Sequence, residues 1–236
     1  MKESPIALIT GAGGGIGQAI ASELASMGVN LMLAGRSQEK LQQCRSSLDA
    51  KGVRVEIAAI DFLEAEAADR LVDITVEAFG GLDILVNNAG IFHRAEVEFT
   101  DVNDLIKVMQ VNALAPFLIC KRAIPHLRAS DRAAIINICS SAAHKGHINE
   151  GAYVSSKHAL YGLTKTLANE LAKDKIRVHA LLPGGVDTEM ASVAGVGLDR
   201  NSLISPREIA DVVGFLLRIG DKGMIDEISL RRSGFC

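Results

Sequence analysis

Short apolar segments alternate with longer amphipathic segments along the whole chain. Several of the short segments are continuously apolar, a pattern typical of strands in a parallel sheet that is covered on both faces. The predicted strands are residues 6–10, 30–34, 53–60, 82–87, 133–139, 177–182 and 225–230.

The segments between these strands show helical periodicity. Ser37 is positioned to cap the second helix, and Thr100 to cap the fourth helical region. Pro116 lies inside that fourth region, so a kink or two abutting helices are expected there. The predicted helices are residues 16–27, a segment after Ser37 that carries Leu41, Cys44 and Leu48, and residues 64–79, 100–127, 151–172 and 206–217.

Regular alternation of strands and helices predicts right-handed βαβ units. The expected fold is α/β: a single-domain, Rossmann-like, doubly wound parallel sheet of about seven strands, flanked by helices on both faces. No linker, charge block or repeat divides the chain, so we expect residues 1–236 to form one dinucleotide-binding and catalytic domain. Residues 184–205 are the least regular stretch and are predicted to form a loop on the substrate side.

Composition excludes several classes of partner. The 236 residues include 25 Lys+Arg and 28 Asp+Glu, for a net charge of −3, and aromatic residues make up only 4% with no Trp. Nucleic-acid and anionic-membrane partners are therefore not expected. No apolar run approaches the roughly 18–20 residues of a membrane span, and a strand begins too early for a signal peptide. We expect a cytoplasmic protein.

The four cysteines, Cys44, Cys120, Cys139 and Cys236, form no CxxC pair. The first three are predicted to be small buried apolar residues in a reducing compartment, and the sequence is silent on Cys236. No arrangement of His, Asp and Glu has the spacing of a metal site, so no metal is predicted.

A glycine-rich turn follows the first predicted strand, with the sequence TGAGGGIG at residues 10–17. Ile16 occupies the last position of the G-x-G-x-x-G pattern, so the spacing present is T-G-x-x-x-G-x-G, formed by Gly11, Gly15 and Gly17. A pyrophosphate is bound by backbone donors at a helix N-terminus, where side chains would obstruct its approach. The turn therefore predicts a dinucleotide-binding site.

The end of the second predicted strand indicates which dinucleotide is bound. An NAD site usually places an acidic residue there for the ribose 2′-hydroxyl, but this chain has Arg36 and no acid before Glu39. A guanidinium pairs with a 2′-phosphate, which a carboxylate would repel. NADP(H) is therefore predicted, with NAD(H) possible; the alternative is that Arg36 is an ordinary solvated cation.

Candidate catalytic residues lie farther along the chain. Tyr153 and Lys157 are four residues apart on one face of a predicted helix, and Ser140 precedes the tyrosine by thirteen residues. A phenol with an ordinary pKa near 10 is a poor acid at neutral pH. An ammonium about 4 Å away, at an effective dielectric of about 20, stabilises the phenolate by about 4 kcal/mol, or about three pKa units. Lys157 is therefore expected to lower the pKa of Tyr153.

Six motifs occur in a fixed order: TGxxxGxG at residues 10–17, NNAG at 87–90, Asn112, Ser140, YxxxK at 153–157, and Pro183-Gly184. In these motifs the chain resembles the short-chain dehydrogenase/reductase family over essentially its whole length. The resemblance implies catalytic roles for Asn112, Ser140, Tyr153 and Lys157, with Asn112 anchoring a proton-relay water and Lys157 also binding the nicotinamide ribose. Family members commonly assemble as dimers or tetramers, so a homodimer or homotetramer is expected.

The resemblance also implies roles in binding the cofactor. It places Val186 and Thr188 near the nicotinamide carboxamide and Asp61 near the adenine; the alternative for Asp61 is a loop or helix-cap role. With the glycine turn, the predicted cofactor-binding residues are Gly11, Gly15, Ile16, Gly17, Arg36, Asp61, Asn88, Ala89, Gly90, Tyr153, Lys157, Pro183, Gly184, Val186 and Thr188.

The expected activity is reversible, NADP(H)-dependent reduction of a ketone, aldehyde or 3-oxoacyl thioester to an alcohol. His144, Lys145 and His147 make the approach to Tyr153 locally basic, which favours an anionic or polar substrate unless they simply form a solvated loop. His93 and Arg94 leave the same two interpretations open. The alternative function is a catalytically silent NADP-binding regulatory protein; a sugar-nucleotide epimerase is disfavoured by length and glycine spacing.

Overall fold

A computed structural model of the chain describes residues 4–64, 66–193, 202–219 and 223–232. The strands are β1 (Ile6–Thr10), β2 (Asn30–Gly35), β3 (Val55–Ala59), β4 (Ile84–Asn87), β5 (Ala134–Ile138), β6 (Arg177–Pro183) and β7 (Glu227–Leu230). The helices are α1 (Gly15–Ser26), α2 (Gln38–Ser46), α3 (Ala67–Phe79), α4 (Val102–Met109), α5 (Ala115–Leu127), α6 (Gly151–Leu171), α7 (Glu189–Val193) and α8 (Pro206–Arg218).

The seven strands form one sheet in the order β3-β2-β1-β4-β5-β6-β7, and every neighbouring pair is parallel. The chain winds outward from β1 to β3, returns to the middle at β4 and then winds outward on the other side. A crevice opens where the winding direction reverses, at the carboxyl ends of β1 and β4. The predicted doubly wound parallel sheet is confirmed.

Two apolar layers cover the sheet because side chains alternate between its faces. On β1, Ala7 and Ile9 pack into the layer that includes α1 and α8, whereas Leu8 packs into the opposite layer with α3 and α5. All residues of β5 are buried. This double burial explains why the strands are continuously apolar.

Most predicted helix boundaries agree with the structure. Ser37 caps α2 by accepting a hydrogen bond from the backbone N–H of Lys40 at 3.2 Å, as predicted. Helix α3 begins at Ala67, three residues later than predicted, because residues 61–64 form a turn in which the Asp61 carboxylate accepts from the N–H of Leu63.

The region from Thr100 to Leu127 contains two successive helices, one of the two predicted arrangements, but the residue that caps the first helix differs from the prediction. Asp101, not Thr100, caps α4 by accepting from the N–H of Asn103 at 2.7 Å, while the Thr100 hydroxyl donates back to the carbonyl of Glu96. Pro116 lies in the first turn of α5, and a π-helical turn at Gln110–Leu114 joins α4 to α5. The wider turn accommodates the proline, which has no N–H to donate to the preceding turn.

One helical stretch among the described residues, Val102–Leu127, is long and apolar enough to cross a membrane. The sequence expectation concerned uninterrupted apolar runs, and this helical stretch was not counted because polar residues are interspersed along it. Ile119, Ala123 and Leu127 pack into the core beneath the sheet. Core helices of folded domains can have the same length and apolar content, so this helix alone is weak evidence for a membrane span.

The predicted loop at 184–205 lies partly outside the described residues. Its described part contains α7 and an isolated bridge between Val186 and Ile204. Helix α8 then begins at Pro206, as predicted, and Ser205 and Glu208 form a reciprocal capping box. Cys236 also lies outside the described residues.

Candidate active site

A cleft of about 750 Å³ follows the carboxyl ends of the first four strands. It lies where the direction of winding reverses, which is the usual position of a ligand crevice in such sheets. The predicted cofactor-binding residues that line it are Gly11, Gly15, Ile16, Gly17, Arg36, Asp61, Asn88, Ala89, Gly90 and Thr188.

The glycines of the turn serve two different purposes. Gly11 has a left-handed φ of +66°, and a Cβ on Gly17 would lie 2.3 Å from the carbonyl oxygen of Gly11. These two glycines are therefore required by the packing of the turn itself. At the start of α1, Gly14 offers no side chain to the first helical N–H groups, so these donors are available to an anion in the cleft. The turn thus fits a dinucleotide pyrophosphate.

Arg36 lies exposed on the cleft wall, just past the end of β2. Asp61 lines the same cleft, and one of its oxygens also accepts from the N–H of Leu63 at 3.0 Å, so the cleft-lining and loop interpretations both describe it. Lys40, which sequence reasoning missed, lines the cleft as well and donates to both oxygens of Glu189. The sequence feature that could have identified Lys40 is its position: it follows the capping Ser37 by three residues and lies on the same rim of the cleft as Arg36.

The NNAG segment is tied directly to the glycine turn. The Thr10 hydroxyl accepts from the N–H groups of Asn88 and Ala89, each at 3.0 Å. The Asn88 amide donates to the carbonyls of Thr10 and Gly11 at 2.9 and 3.1 Å. These bonds hold the ends of β1 and β4 together and so form the floor of the cleft.

A buried chain of amides lies behind this segment and was not predicted. The Asn87 side chain donates to the Asn137 side-chain oxygen at 2.8 Å, and Asn137 donates to the Thr164 hydroxyl at 2.8 Å. All three side chains are buried. The sequence feature that could have revealed this chain of hydrogen bonds is Asn137, a single amide side chain within the otherwise apolar strand β5. The chain of bonds fixes α6, which carries the tyrosine, against β4 and β5.

Ser140, Tyr153 and Lys157 meet at the carboxyl end of β5. Ser140 caps the short turn at Ser141–Ala143, and its hydroxyl hydrogen-bonds the Tyr153 phenol. The Lys157 side chain is buried, and its Nζ lies 5.8 Å from the centre of the Tyr153 ring. Phe92, which lines the cleft, packs edge-on against that ring at 5.0 Å between centroids. The three predicted catalytic residues therefore stand together behind Phe92, next to the cleft but not among the residues that line it.

The expected effect of Lys157 on the tyrosine is wrong for this structure. Burial raises the pKa of Tyr153 to about 12; the hydrogen bond from Ser140 opposes this rise and the carboxylate of Glu150 adds to it. Burial also lowers the pKa of Lys157 itself. Its Nζ donates to the carbonyl of Ile138 at 2.9 Å, and desolvation is the largest cause of the shift in the phenol pKa. The Tyr153 phenol is therefore neutral throughout the physiological pH range.

Asn112 lies fully buried in the π-helical turn. Its oxygen accepts from the N–H of Ile91 at 2.8 Å, and its nitrogen donates to the Ile91 carbonyl at 2.9 Å and the Ser156 hydroxyl at 3.0 Å. The Ser156 hydroxyl in turn donates to the carbonyl of Tyr153 at 2.7 Å. In this structure Asn112 joins the segment after NNAG to the helix that carries the tyrosine, and its role with a relay water stays a prediction.

Three predicted cofactor residues lie at the end of β6 and do not line the cleft. Pro183 is the last residue of β6, and the N–H of Gly184 donates to the carbonyl of Leu230 at 2.8 Å. Val186 is buried in the core. Thr188, by contrast, reaches the cleft and stands over Gly15, whose Cβ would lie 3.2 Å from its methyl group.

The basic residues near Tyr153 differ in their surroundings. His144 faces β7, with its Nε2 3.7 Å from a carboxylate oxygen of Glu227, which also accepts from the Tyr161 hydroxyl. Lys145 and His147 are exposed. His93 lies 3.9 Å from Asp104.

The cysteines that can be described agree with the sequence prediction. Cys44, Cys120 and Cys139 are buried free thiols, and burial raises their pKa to about 11, 12 and 11. Within the described ranges, no three His, Cys, Asp or Glu side chains are grouped to hold a metal ion.

Comparison with known proteins gives matches along most of the chain. The family described as short chain dehydrogenase matches residues 5–196. The trans-4-hydroxycyclohexanecarboxylate dehydrogenase of Sinomonas cyclohexanicum is 35% identical over 220 residues, which cover 89% of this chain and 85% of that protein.

Two solved structures extend this similarity to the fold. The alcohol dehydrogenase of the archaeon Thermococcus sibiricus, complexed with 5-hydroxy-NADP, has a TM-score of 0.90 and 30% identity, covering 98% of this chain and 97% of that one. The 3-ketoacyl-(acyl-carrier-protein) reductase of Brucella melitensis, complexed with NADH, has a TM-score of 0.88 and 27% identity, covering 99% of each chain.

Proposed function

This chain belongs to the short-chain dehydrogenase/reductase family, and we propose that it is an NADP(H)-dependent carbonyl reductase, reversible to alcohol oxidation. The observation that carries this proposal is the meeting of Ser140, Tyr153 and Lys157 behind Phe92, next to the cleft that the glycine turn lines. A silent NADP-binding protein would have no need for a buried lysine and a hydrogen-bonded serine–tyrosine pair at that point.

Each residue of the candidate site has a separate role in the proposed carbonyl reduction. A bound nicotinamide supplies the hydride that reduces the carbonyl carbon. The Ser140 hydroxyl holds the substrate oxygen against Tyr153, which donates its phenolic proton to the oxygen as negative charge develops there. Lys157, four residues along the same helix face, binds the ribose hydroxyls, and the N-terminus of α1 binds the pyrophosphate. In alcohol oxidation Tyr153 would first have to lose its proton to solvent, so that the phenolate could accept the alcohol proton while the hydride passes to the oxidised nicotinamide.

The preference for NADP(H) is proposed from Arg36. Its guanidinium is exposed on the cleft wall where the adenosine ribose of a dinucleotide would lie, and no acidic residue ends β2. The two similar structures above contain an NADP derivative and NADH respectively, so both cofactors occur among proteins of this fold. Arg36→Asp is expected to shift preference from NADPH towards NADH, and an unchanged ratio of kcat/KM values would remove Arg36 from this role.

The proposed substrates are ketones, aldehydes and 3-oxoacyl thioesters. The names of two similar proteins, a hydroxycyclohexanecarboxylate dehydrogenase and a 3-ketoacyl reductase, fit secondary alcohols and ketones of this kind. Loss of absorbance at 340 nm should be followed with NADPH and with NADH over a panel of these carbonyl compounds. Turnover of at least one compound is expected, faster with NADPH. Tight NADPH binding without any turnover would favour the silent regulatory protein.

We further propose that the chain acts in the cytoplasm as a homodimer or homotetramer. Its buried free thiols suit a reducing compartment. Leu114 and Phe117, beside and on α5, are 46% and 49% exposed, and large apolar side chains in such positions are typical of an interface between subunits. Light scattering is expected to give a mass two or four times the 25.0 kDa of one chain, and a monomer would contradict the assembly.

A further inference from the structure

An ion pair joins two elements on opposite sides of the cleft mouth. Lys40, in the first turn of α2, places its Nζ 2.8 and 2.7 Å from the two carboxylate oxygens of Glu189, the first residue of α7. Both residues line the cleft, although 149 positions separate them in the chain. The pair therefore bridges the wall that carries Arg36 and the segment that follows β6.

Lys40 stands beside the glycine turn. A Cβ on Gly13 would lie 3.0 Å from the Cβ of Lys40, so the lysine stem lies directly against the turn. Arg36 and Ser37 immediately precede α2 on the same rim of the cleft. Two cationic side chains and a hydroxyl thus surround the position just past the end of β2.

The stability of α2 does not explain a lysine at this place. Cations in the first turn of a helix are unfavourable because the N-terminus already carries partial positive charge. Glu189 supplies a compensating charge, but the two side chains are 44% and 87% exposed, and ion pairs with such exposure contribute little to stability. The arrangement is better explained by an anion that enters the cleft and meets Lys40, Arg36 and the helix N-terminus together.

We propose that Lys40 is a second residue that selects the cofactor, and that Glu189 competes with the 2′-phosphate for it. This inference rests on the proposed NADP(H) preference. A phosphate monoester carries nearly two negative charges at pH 7 and three acceptor oxygens, so it replaces a single carboxylate as the partner of Lys40. A cofactor without the 2′-phosphate leaves the bond between Lys40 and Glu189 intact. Glu189 therefore lowers affinity for NADP(H) without affecting NAD(H).

Calorimetric binding of NADP⁺ and NAD⁺ tests this directly and requires no turnover. Lys40→Met is expected to weaken NADP⁺ binding about tenfold, the loss of one charge-assisted contact, and to leave NAD⁺ binding within about twofold. Glu189→Gln is expected to strengthen NADP⁺ binding about two- to fivefold at low salt, with a smaller effect at high salt. The double variant should behave like Lys40→Met. Lys51→Met is the matched control, since Lys51 is exposed, donates to Ser26 and lies outside the cleft lining.

Each result decides a specific point. Equal weakening of both cofactors by Lys40→Met, or no weakening at all, would overturn the role of Lys40, and an unchanged affinity in Glu189→Gln would overturn the competition. If Arg36→Asp abolishes a preference for NADP⁺ that Lys40→Met leaves intact, the proposed function stands and only this inference fails. If the unmodified protein binds NAD⁺ as tightly as NADP⁺, both are overturned.

Discussion

At the scale of single residues, the chemistry of this site depends on how burial changes two ionisable groups. Desolvation raises the pKa of the Tyr153 phenol and lowers that of the Lys157 ammonium. Both shifts favour the uncharged form of the group. The tyrosine is therefore protonated and ready to donate in the reductive direction at every physiological pH.

The tyrosine shift can be measured optically because the chain has two tyrosines and no tryptophan. The pKa values of Tyr153 and Tyr161 are both raised to about 12, the first by burial and the second by its hydrogen bond to Glu227. Titration of the protein without cofactor, followed at 295 nm, is expected to show no phenolate below about pH 10. The Tyr161→Phe variant isolates Tyr153, and a step of one phenol near pH 7–8 in that variant would contradict the account.

The meeting of Ser140, Tyr153 and Lys157 was predictable, whereas their electrostatics was not. Residue type and spacing are local features, and a spacing of four on a helix brings Tyr153 and Lys157 to one face. The direction of the pKa shift depends on what covers the pair, which includes Phe92 and the end of β5, both distant in the sequence. Lys40 was missed for the same reason, since its partner Glu189 lies in a different part of the chain.

At the scale of elements, the π-helical turn at Gln110–Leu114 is the joint that connects the cofactor side of the site to the catalytic helix. It carries Asn112, whose amide holds both backbone groups of Ile91 and the hydroxyl of Ser156. A buried amide with every group paired fixes a single arrangement of the elements around it.

Replacing Asn112 with leucine is expected to destabilise this joint. The N–H and carbonyl of Ile91 would lose their partner, and each unsatisfied buried backbone group costs about 1–3 kcal/mol. The free energy of unfolding in urea should therefore fall by about 2–4 kcal/mol. Asn103→Leu, on the exposed face of α4, is the control and should change it by less than about 0.5 kcal/mol. Equal effects of the two substitutions would show that Asn112 is not a structural joint.

The boundaries of helices and strands were predictable where the pattern of apolar, polar and capping residues allows only one interpretation. All seven strands were placed within two residues of their observed ends, most clearly β1, β4 and β5, which are apolar runs buried on both faces. The start of α4 was not, because Thr100 and Asp101 are both able to cap a helix and only the backbone geometry distinguishes them. The π-helical turn leaves no mark in the periodicity over so few residues.

At the scale of the whole molecule, the parallel sheet encloses a histidine that the site does not use. His179 on β6 is fully buried, and its Nδ1 lies 2.6 Å from the carbonyl of Ile225. Its Nε2 has no hydrogen-bond partner among the residues that the structure describes. Burial lowers the pKa of His179, so the folded protein holds the ring neutral.

This histidine makes stability depend on pH in one direction. In the unfolded chain His179 takes up a proton near pH 6.5, whereas the folded protein takes it up only at lower pH, so the folded state loses stability as pH falls below about 6.5. The loss is at most about 1.4 kcal/mol per pH unit. Urea unfolding at pH 7.0 and 5.5 should show a smaller decrease for His179→Gln than for the unmodified protein. Exposed His147→Gln is the control, and parallel changes in all three proteins would refute the assignment.

The central claim is that Tyr153 protonates a substrate oxygen while a nicotinamide delivers hydride to the adjoining carbon. The most direct measurement follows deuterium from 4-deuterated NADPH into the alcohol by mass spectrometry, for the unmodified protein and Tyr153→Phe, beside the affinity of each for NADPH. We expect deuterium at the former carbonyl carbon, a rate at least about a thousandfold lower in the variant, and NADPH affinity within about tenfold. A Tyr153→Phe variant that forms deuterated alcohol at the unmodified rate would contradict the account.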